Sequence, residues 1–179
     1  MSRALLLCAA ACLLAADTPK EEGFVPLFNG KDLTGWKTQA KKKGTTAESL
    51  DGKSEAYKGR FKVNDELLVI DPKVGGDVRI ETAKAYGGDT VIRFEYKPGP
   101  KCNNDLFFRG HKYDILLPKG KAEEGKWYKF EIAVKGDMIE FSQDGKSVRK
   151  GAVKGKGATP FEIRAEHGEI EFRNMRIKE

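Results

Sequence analysis

After residue 60 the apolar residues of this chain recur at every second position. Ile92, Phe94 and Tyr96 alternate with Val91, Arg93, Glu95 and Lys97; Tyr128, Phe130, Ile132 and Val134 alternate with Lys129, Glu131, Ala133 and Lys135. Successive side chains on an extended strand point to opposite faces, so this period marks strands with one buried and one solvated face. Shorter runs of the same kind cover 61–63, 67–70, 78–81, 106–109, 113–117, 138–142, 161–165 and 169–177. Gly75-Gly76, Gly87-Gly88, Pro98-Gly99-Pro100 and Asp144-Gly145 punctuate them as turns. Asp144-Gly145, set between two strand-like runs, predicts a tight hairpin. Within 169–177, Ile170 and Phe172 share one face while Met175 and Ile177 share the other, and that change of parity predicts a bulge near Asn174.

Helical spacing is not kept over any stretch of ten or more residues. Only 81–86 fits a short helical turn. Strands at this density without helices predict an all-β sandwich of two antiparallel sheets packed face to face. Segment 37–59 is polar, rich in Lys, Thr, Ser and Gly, and without alternation. It reads as a long surface loop, either a plain insertion or a binding rim over a sheet.

The first sixteen residues obey another rule. Arg3 precedes an apolar run that ends in small residues at Ala15-Ala16, the pattern of a secretory leader too short to span a bilayer. The expected organisation is therefore a leader over 1–16 and a single domain over 17–179, in an exported protein that is periplasmic or extracellular. Ala9-Ala10-Ala11-Cys12 loosely resembles a lipid-attachment box, but the apolar run continues past Cys12, which favours cleavage near Ala16. No later segment is apolar for long enough to be a membrane helix, so no integral membrane segment is expected. Cys8 and Cys12 leave with the leader and Cys102 remains alone, so no disulfide partner is expected. The net charge of +6 comes from Lys and Arg interleaved with Asp and Glu, clustered only at Lys41-Lys42-Lys43. That distribution argues for a solvated surface and against a nucleic-acid partner.

The stretch 23–36, reading Gly23-Phe24-Val25-Pro26-Leu27-Phe28-Asn29-Gly30-Lys31-Asp32-Leu33-Thr34-Gly35-Trp36, resembles the opening of the 3-keto-disaccharide hydrolase family, the domain of unknown function 1080. Phe61-Lys62-Val63-Asn64-Asp65-Glu66-Leu67-Leu68 is similar to that family's second strand pair. The central strand is matched by Cys102-Asn103-Asn104-Asp105-Leu106-Phe107-Phe108-Arg109-Gly110. Gly125-Lys126-Trp127-Tyr128 and Phe172-Arg173-Asn174-Met175-Arg176-Ile177 resemble two further strands, in the family's order to the end of the chain. The resemblance implies a concanavalin A-like jelly roll with a carbohydrate-facing concave sheet, acting on glycosides oxidised to a ketone at carbon 3. Such a ketone acidifies the proton on carbon 2, so a base can remove it, the enolate can expel the group on carbon 1, and water can add back. A general base, groups to hold the enolate oxygen and a proton source are required. The matched carboxylate pair of an oxocarbenium mechanism is not.

On that resemblance the candidate catalytic residues are Asp114 as base with Arg109 and His167 as charge stabilisers. Glu166, Arg164, Asn104, His111 and Trp36 are the candidate sugar contacts. Where the family has Tyr-Glu-x-Gln, this chain has Tyr113-Asp114-Ile115-Leu116, which shortens the acid and loses the amide. Alternation places Asp114 and Leu116 on one face, and Glu162, Arg164 and Glu166 together on another strand's outward face. An ordinary cross-strand ion pair of Asp114 with Arg109 is the competing reading. The 113–125 segment is shorter than in fuller members, and a shallower cleft favours a second reading, a non-catalytic carbohydrate-binding module. Trp127, at the start of a strand, reads as structural. No His or Cys spacing indicates a metal, and no cofactor is expected. Oxygen donors at Asn103-Asn104-Asp105 are compatible with a divalent cation such as calcium, although the trio also spells turn chemistry after Pro100.

Overall fold

The computed structural model describes residues 21–40, 46–117, 119–120, 122–155 and 157–179. The leader, its cleavage point and Lys41-Lys42-Lys43 lie outside the described residues. Within them the strands are β1 (Val25–Pro26), β2 (Trp36–Thr38), β3 (Glu55–Ala56), β4 (Phe61–Asn64), β5 (Leu67–Ile70), β6 (Val78–Thr82), β7 (Thr90–Pro98), β8 (Asn103–Phe108), β9 (His111–Leu116), β10 (Tyr128–Lys135), β11 (Met138–Gln143), β12 (Lys146–Ala152), β13 (Glu162–His167) and β14 (Ile170–Lys178). They form two antiparallel sheets, a nine-stranded one in the order β12-β11-β10-β7-β14-β5-β4-β3 with β1 on β14, and a five-stranded one in the order β2-β6-β13-β8-β9. The all-β sandwich of two antiparallel sheets expected from the alternation is what the chain adopts, and it is jelly-roll-like as the resemblance implies. No helix among the described residues is long and apolar enough to cross a membrane.

The inward positions of the alternating runs make the core. Phe94 of β7 lies at its centre, with ring centroids 5.3 Å from Phe130, 5.9 Å from Phe172 and 6.1 Å from Phe161 across the sandwich. Trp36 closes one side, fully buried, its Nε1 donating to the Leu27 carbonyl at 2.8 Å. Burying each large apolar side chain contributes about 1.5–3 kcal/mol, and among the described residues no disulfide adds to it, Cys102 being a free, buried thiol. The hairpin at Asp144 (φ 48°) and Gly145 (φ 75°) has both central residues left-handed, as a two-residue turn requires. The bulge expected near Asn174 is present: the β14–β7 register shifts between Arg173 and Arg176, and Asn174 has φ 54°.

Two expectations are corrected. Residues 81–86 form no helical turn: β6 runs to Thr82, and the amides of Ala83 and Tyr86 donate to the carbonyls of Gly35 and Thr159. Distant segments thus satisfy the backbone groups a local turn would have used. Segment 37–59 is not all loop. It opens inside β2 on the edge of the small sheet, bridges Lys37 to Ser49, and ends in β3 paired with β4. Strands of two or three residues are too short to display a period.

The outer face of the large sheet is matched in charge. Arg93 faces Glu131, Lys97 faces Glu171 and Glu95 faces Arg173, with ion pairs of 2.6, 2.6 and 2.7 Å. Trp127 lies half-buried there, its ring 4.0 Å from the Arg173 guanidinium and 5.3 Å from the Lys97 ammonium.

Candidate functional site

The outer face of the small sheet is built differently. Register aligns its outward side chains in rows. One row reads Lys37, Glu81, Glu162, Phe107 and Lys112 from β2 to β9. The next reads Arg79, Arg164, Asp105 and Asp114. Same-sign neighbours therefore stand directly opposite one another three times: Glu81 with Glu162, Arg79 with Arg164, and Asp105 with Asp114. Like charges so placed weaken a sheet.

Counter-ions relieve the repulsion. Lys37 meets Glu81 directly opposite at 3.2 Å and Arg79 meets Glu162 on the diagonal at 3.2 Å, while the Arg79 guanidinium stacks 4.0 Å from the Phe107 ring. Arg164 is the hub. Its Nε and Nη2 donate to Asp77 at 2.7 and 2.6 Å, and its Nη1 lies 2.7 Å from both Asp105 and Glu166. The Asp77 hydrogen bonds, ahead of those from Asp105, hold this guanidinium firmly charged. Lys112 bridges the acid pair, its Nζ 2.5 Å from Asp114 Oδ1 and 3.4 Å from both oxygens of Asp105, and the Asp114 carboxylate raises the ammonium above its ordinary value. Burial raises the Glu162 carboxyl, opposed by its hydrogen bond from Arg79.

The two members of the acid pair differ in access. Asp105 is 0% exposed, covered by Arg164 and Lys112, and its Oδ1 accepts no hydrogen bond. The Asp114 side chain is 45% exposed. A ligand can reach Asp114 directly, whereas Asp105 acts through the cations it holds. The Asn103-Asn104-Asp105 trio is strand rather than turn, so alternation sends Asp105 outward and Asn104 inward. Among the described residues no three His, Cys, Asp or Glu side chains gather as a set of metal ligands.

Of the residues proposed from sequence, Asp114, Arg164 and Glu166 share this outer face. His167 belongs to it as well by register: it pairs with Asn103, one row beyond Asp105. A bulge in β13 between Arg164 and His167 makes this so, and Asn104 clamps it from inside. The Asn104 Nδ2 donates to the His167 carbonyl at 3.0 Å, and its Oδ1 accepts from the Glu166 amide at 2.9 Å. Asn104 is thus a buried scaffold residue and not a sugar contact.

Arg109 is not brought to the others. It occupies the β8–β9 hairpin (φ 49°), at the opposite end of β8 from Asn103 and His167, about 20 Å of strand away. Its guanidinium is buried against the Tyr86 carbonyl at 3.3 Å, so the expected Arg109–Asp114 pairing is replaced by Lys112–Asp114. His111 points into the sandwich, with Nε2 2.7 Å from the Ala152 carbonyl and its ring against Gly151. Trp36 fills the core, so it forms no rim; Trp127 is the partly exposed tryptophan, on the other sheet.

Sequence reasoning missed Lys112, Arg79 and Asp77, and it singled out Asp105 only as a cation donor or turn residue. The signal existed in β8, where Asn103, Asp105 and Phe107 alternate with Asn104, Leu106 and Phe108, but an inward Asn and an outward Phe blur the contrast.

A family model described as the 3-keto-alpha-glucoside-1,2-lyase-like domain matches residues 23–122. Among solved structures the chain is similar to a glycosyl hydrolase, so described as a supposed one, from Parabacteroides distasonis, at 18% identity over 93% of this chain and 97% of that one, TM-score 0.68. A second such structure from that organism gives 14% identity, 87% and 98% coverage, and TM-score 0.61. A carbohydrate binding module from Bacillus subtilis gives 14% identity, 82% and 96% coverage, and TM-score 0.53. These likenesses establish the sandwich fold. A search of curated proteins finds no match.

Proposed function

The chain belongs to the family of 3-keto-alpha-glucoside-1,2-lyase-like domains, and from that premise we propose that the outer face of its five-stranded sheet binds glycosides carrying a ketone at carbon 3 and cleaves them by elimination and hydration. The observation that carries this reading is the reachable carboxylate of Asp114 with the Lys112 ammonium 2.5 Å away, beside the buried Asp105–Arg164 pair. Asp114 takes the proton from carbon 2. The electron pair moves onto the carbon 3 oxygen, where Lys112 and Arg164 supply positive charge in a partly desolvated setting. Collapse of the enolate restores the ketone, turns the single bond between carbons 1 and 2 into a double bond, and breaks the bond from carbon 1 to the departing oxygen. His167, one row along, donates the proton that oxygen needs. Water then adds its hydroxyl to carbon 1, Asp114 returns its proton to carbon 2, and the other proton of the water restores His167. Asp105 touches no substrate and holds both cations in position. The reading includes export, motivated by the 1–16 leader.

The test is incubation of the chain, without its leader, with a 3-keto-glycoside, in the presence and absence of a chelator, following release of the aglycone. Release that Asp114→Asn abolishes while the fold survives supports the mechanism; unchanged release by that variant removes Asp114 from it. A binding module without turnover is the second reading, favoured by the pairing of Arg164 and Lys112 with carboxylates in the free protein. Sugar binding with no release at any protein concentration selects it.

A further inference from the structure

Two cations at the β8–β9 hairpin end of the sandwich lack a carboxylate. Arg109 is 8% exposed, and the exposed Lys154 packs against the next residue, where a Cβ on Gly110 would lie 2.5 Å from its own. Among the described residues neither side chain forms an ion pair.

The other arginines show what is missing. A guanidinium presents Nε and Nη2 on one side as a fork of parallel donors that fits an oxyanion. Arg164 fills that fork with Asp77 at 2.7 and 2.6 Å, Arg173 fills it with Glu95, and Arg176 with Glu21. In Arg109 the fork is empty: Nε is buried without a partner, and Nη2 makes no hydrogen bond within the protein and reaches solvent. Arg60 also has a buried, free Nε, but Asp71, whose carbonyl takes its Nη1 at 2.6 Å, adds carboxylate charge beside it.

The one internal bond of the Arg109 guanidinium does not account for it. Nη1 donates to the Tyr86 carbonyl at 3.3 Å, yet that carbonyl already accepts from the Thr159 amide at 3.0 Å. The backbone position is costly as well. Arg109 (φ 49°) and Gly110 (φ 76°) form a two-residue turn with both residues left-handed, where Asn, Asp and Gly are favoured. The matching turn at Asp144-Gly145 opens on an aspartate. An unpaired charge taken out of water adds its own cost to that strain. Such strain gathers at ligand clamps. Gly87 borders the guanidinium, a Cβ there being 3.7 Å from Nη1, and the amides of Gly87 and Gly88 donate to no acceptor within the protein.

We propose that Arg109 is the centre of an oxyanion site, taking a phosphate or carboxylate group side-on through Nε and Nη2, with Lys154 and the Gly87-Gly88 loop beside it. The site lies beyond the end of the charged face and uses none of the residues of the proposed reaction. It therefore stands or falls apart from that reading.

The experiment follows the Nε–H signal of Arg109 in the ¹⁵N-labelled chain, without its leader, during titration with sodium phosphate, sodium acetate or sodium chloride at constant ionic strength. Phosphate or acetate should shift that signal and the Gly87 and Gly88 amides saturably, with a dissociation constant on the order of 1 mM. The tighter of the two identifies the group. The Arg164 signal, its fork filled by Asp77, should stay in place. Arg109→Lys keeps the charge without the fork and should weaken binding about tenfold, read at the Gly87 amide. Lys154→Gln, at an exposed position, should weaken it about threefold. No saturable shift with either oxyanion, an equal response to chloride, or undiminished binding by Arg109→Lys overturns the site, and each leaves keto-glycoside cleavage untouched.

Discussion

Replacing Asp105 by asparagine tests whether the buried acid organises the charged face. Asn keeps the volume and one accepting oxygen, but it removes the charge that faces Arg164 at 2.7 Å and Lys112 at 3.4 Å. Removing one member of a buried ion pair usually costs about 3–5 kcal/mol, because the other member is left unpaired. Here neither cation is left unpaired: Arg164 keeps Asp77 and Glu166, and Lys112 keeps Asp114. The loss is then closer to that of a charged hydrogen bond, about 1.5–3 kcal/mol, reduced by relief of the repulsion with Asp114 across the strand pair. We expect a net loss of about 2 kcal/mol, which for a domain of this size lowers Tm by about 4–8 °C. Urea unfolding of the wild type, Asp105→Asn, Arg164→Gln and the double variant gives both the loss and the coupling. A loss below about 0.5 kcal/mol, or additive single effects, would refute the claim that Asp105 anchors Arg164. A loss above about 4 kcal/mol would mean that Asp77 and Glu166 do not hold Arg164 in its absence.

Gly168 separates β13 from β14 at φ 73°, and a Cβ there would lie 2.5 Å from the Lys101 carbonyl oxygen, so Gly168→Ala should cost more than about 2 kcal/mol in urea unfolding. Gly145→Ala, at a similar φ with nothing within 4 Å, should cost only about 1 kcal/mol; equal losses would show that the close approach at Gly168 is not real. Burial raises the carboxyl of Glu162, so the folded chain holds that proton more readily than the unfolded one, and its ionisation subtracts stability above its folded range but not below the unfolded one. Glu162→Gln should therefore exceed the wild type in stability at neutral pH, with the advantage fading as pH falls through the raised folded range towards about 4 and absent below it; a variant less stable at pH 7 would show that the Arg79 bond outweighs burial.

Long strands were legible because packing asks of them what the sequence displays. In β7 each of Ile92, Phe94 and Tyr96 enters the core and each intervening residue stays outside, so period two survives intact. The parity change that revealed the Asn174 bulge is the same signal read for its failure. The site was less legible because it depends on pairings between strands far apart in sequence. Nothing local tells Arg164 that Asp105 and Asp77 will meet it, or that Arg109, one hairpin turn beyond the face, will turn its guanidinium to Tyr86. His167 reaches the outer face only through a bulge whose clamp, Asn104, looks in sequence like one more polar residue of a turn.

The two outer faces of the sandwich differ in how charge is matched across the strands, a contrast independent of any relative. On the large sheet cross-strand neighbours carry opposite charge, and where Arg93 faces Arg176 the carboxylate of Glu21 bridges them. Such a face is explained by stability and solubility alone. On the small sheet acid faces acid twice and arginine faces arginine once, beside the matched pairs Lys37–Glu81 and Arg164–Asp105, so these like-charged neighbours depend on diagonal counter-ions such as Arg79 and Lys112. Local rules are broken where another demand overrides stability, and here the breaks lie together on one face. Asp114 at one end of this row and the guanidiniums of Arg164 and Arg79 further along it offer what the proposed proton abstraction next to a carbonyl requires, a base at one place and positive charge at another.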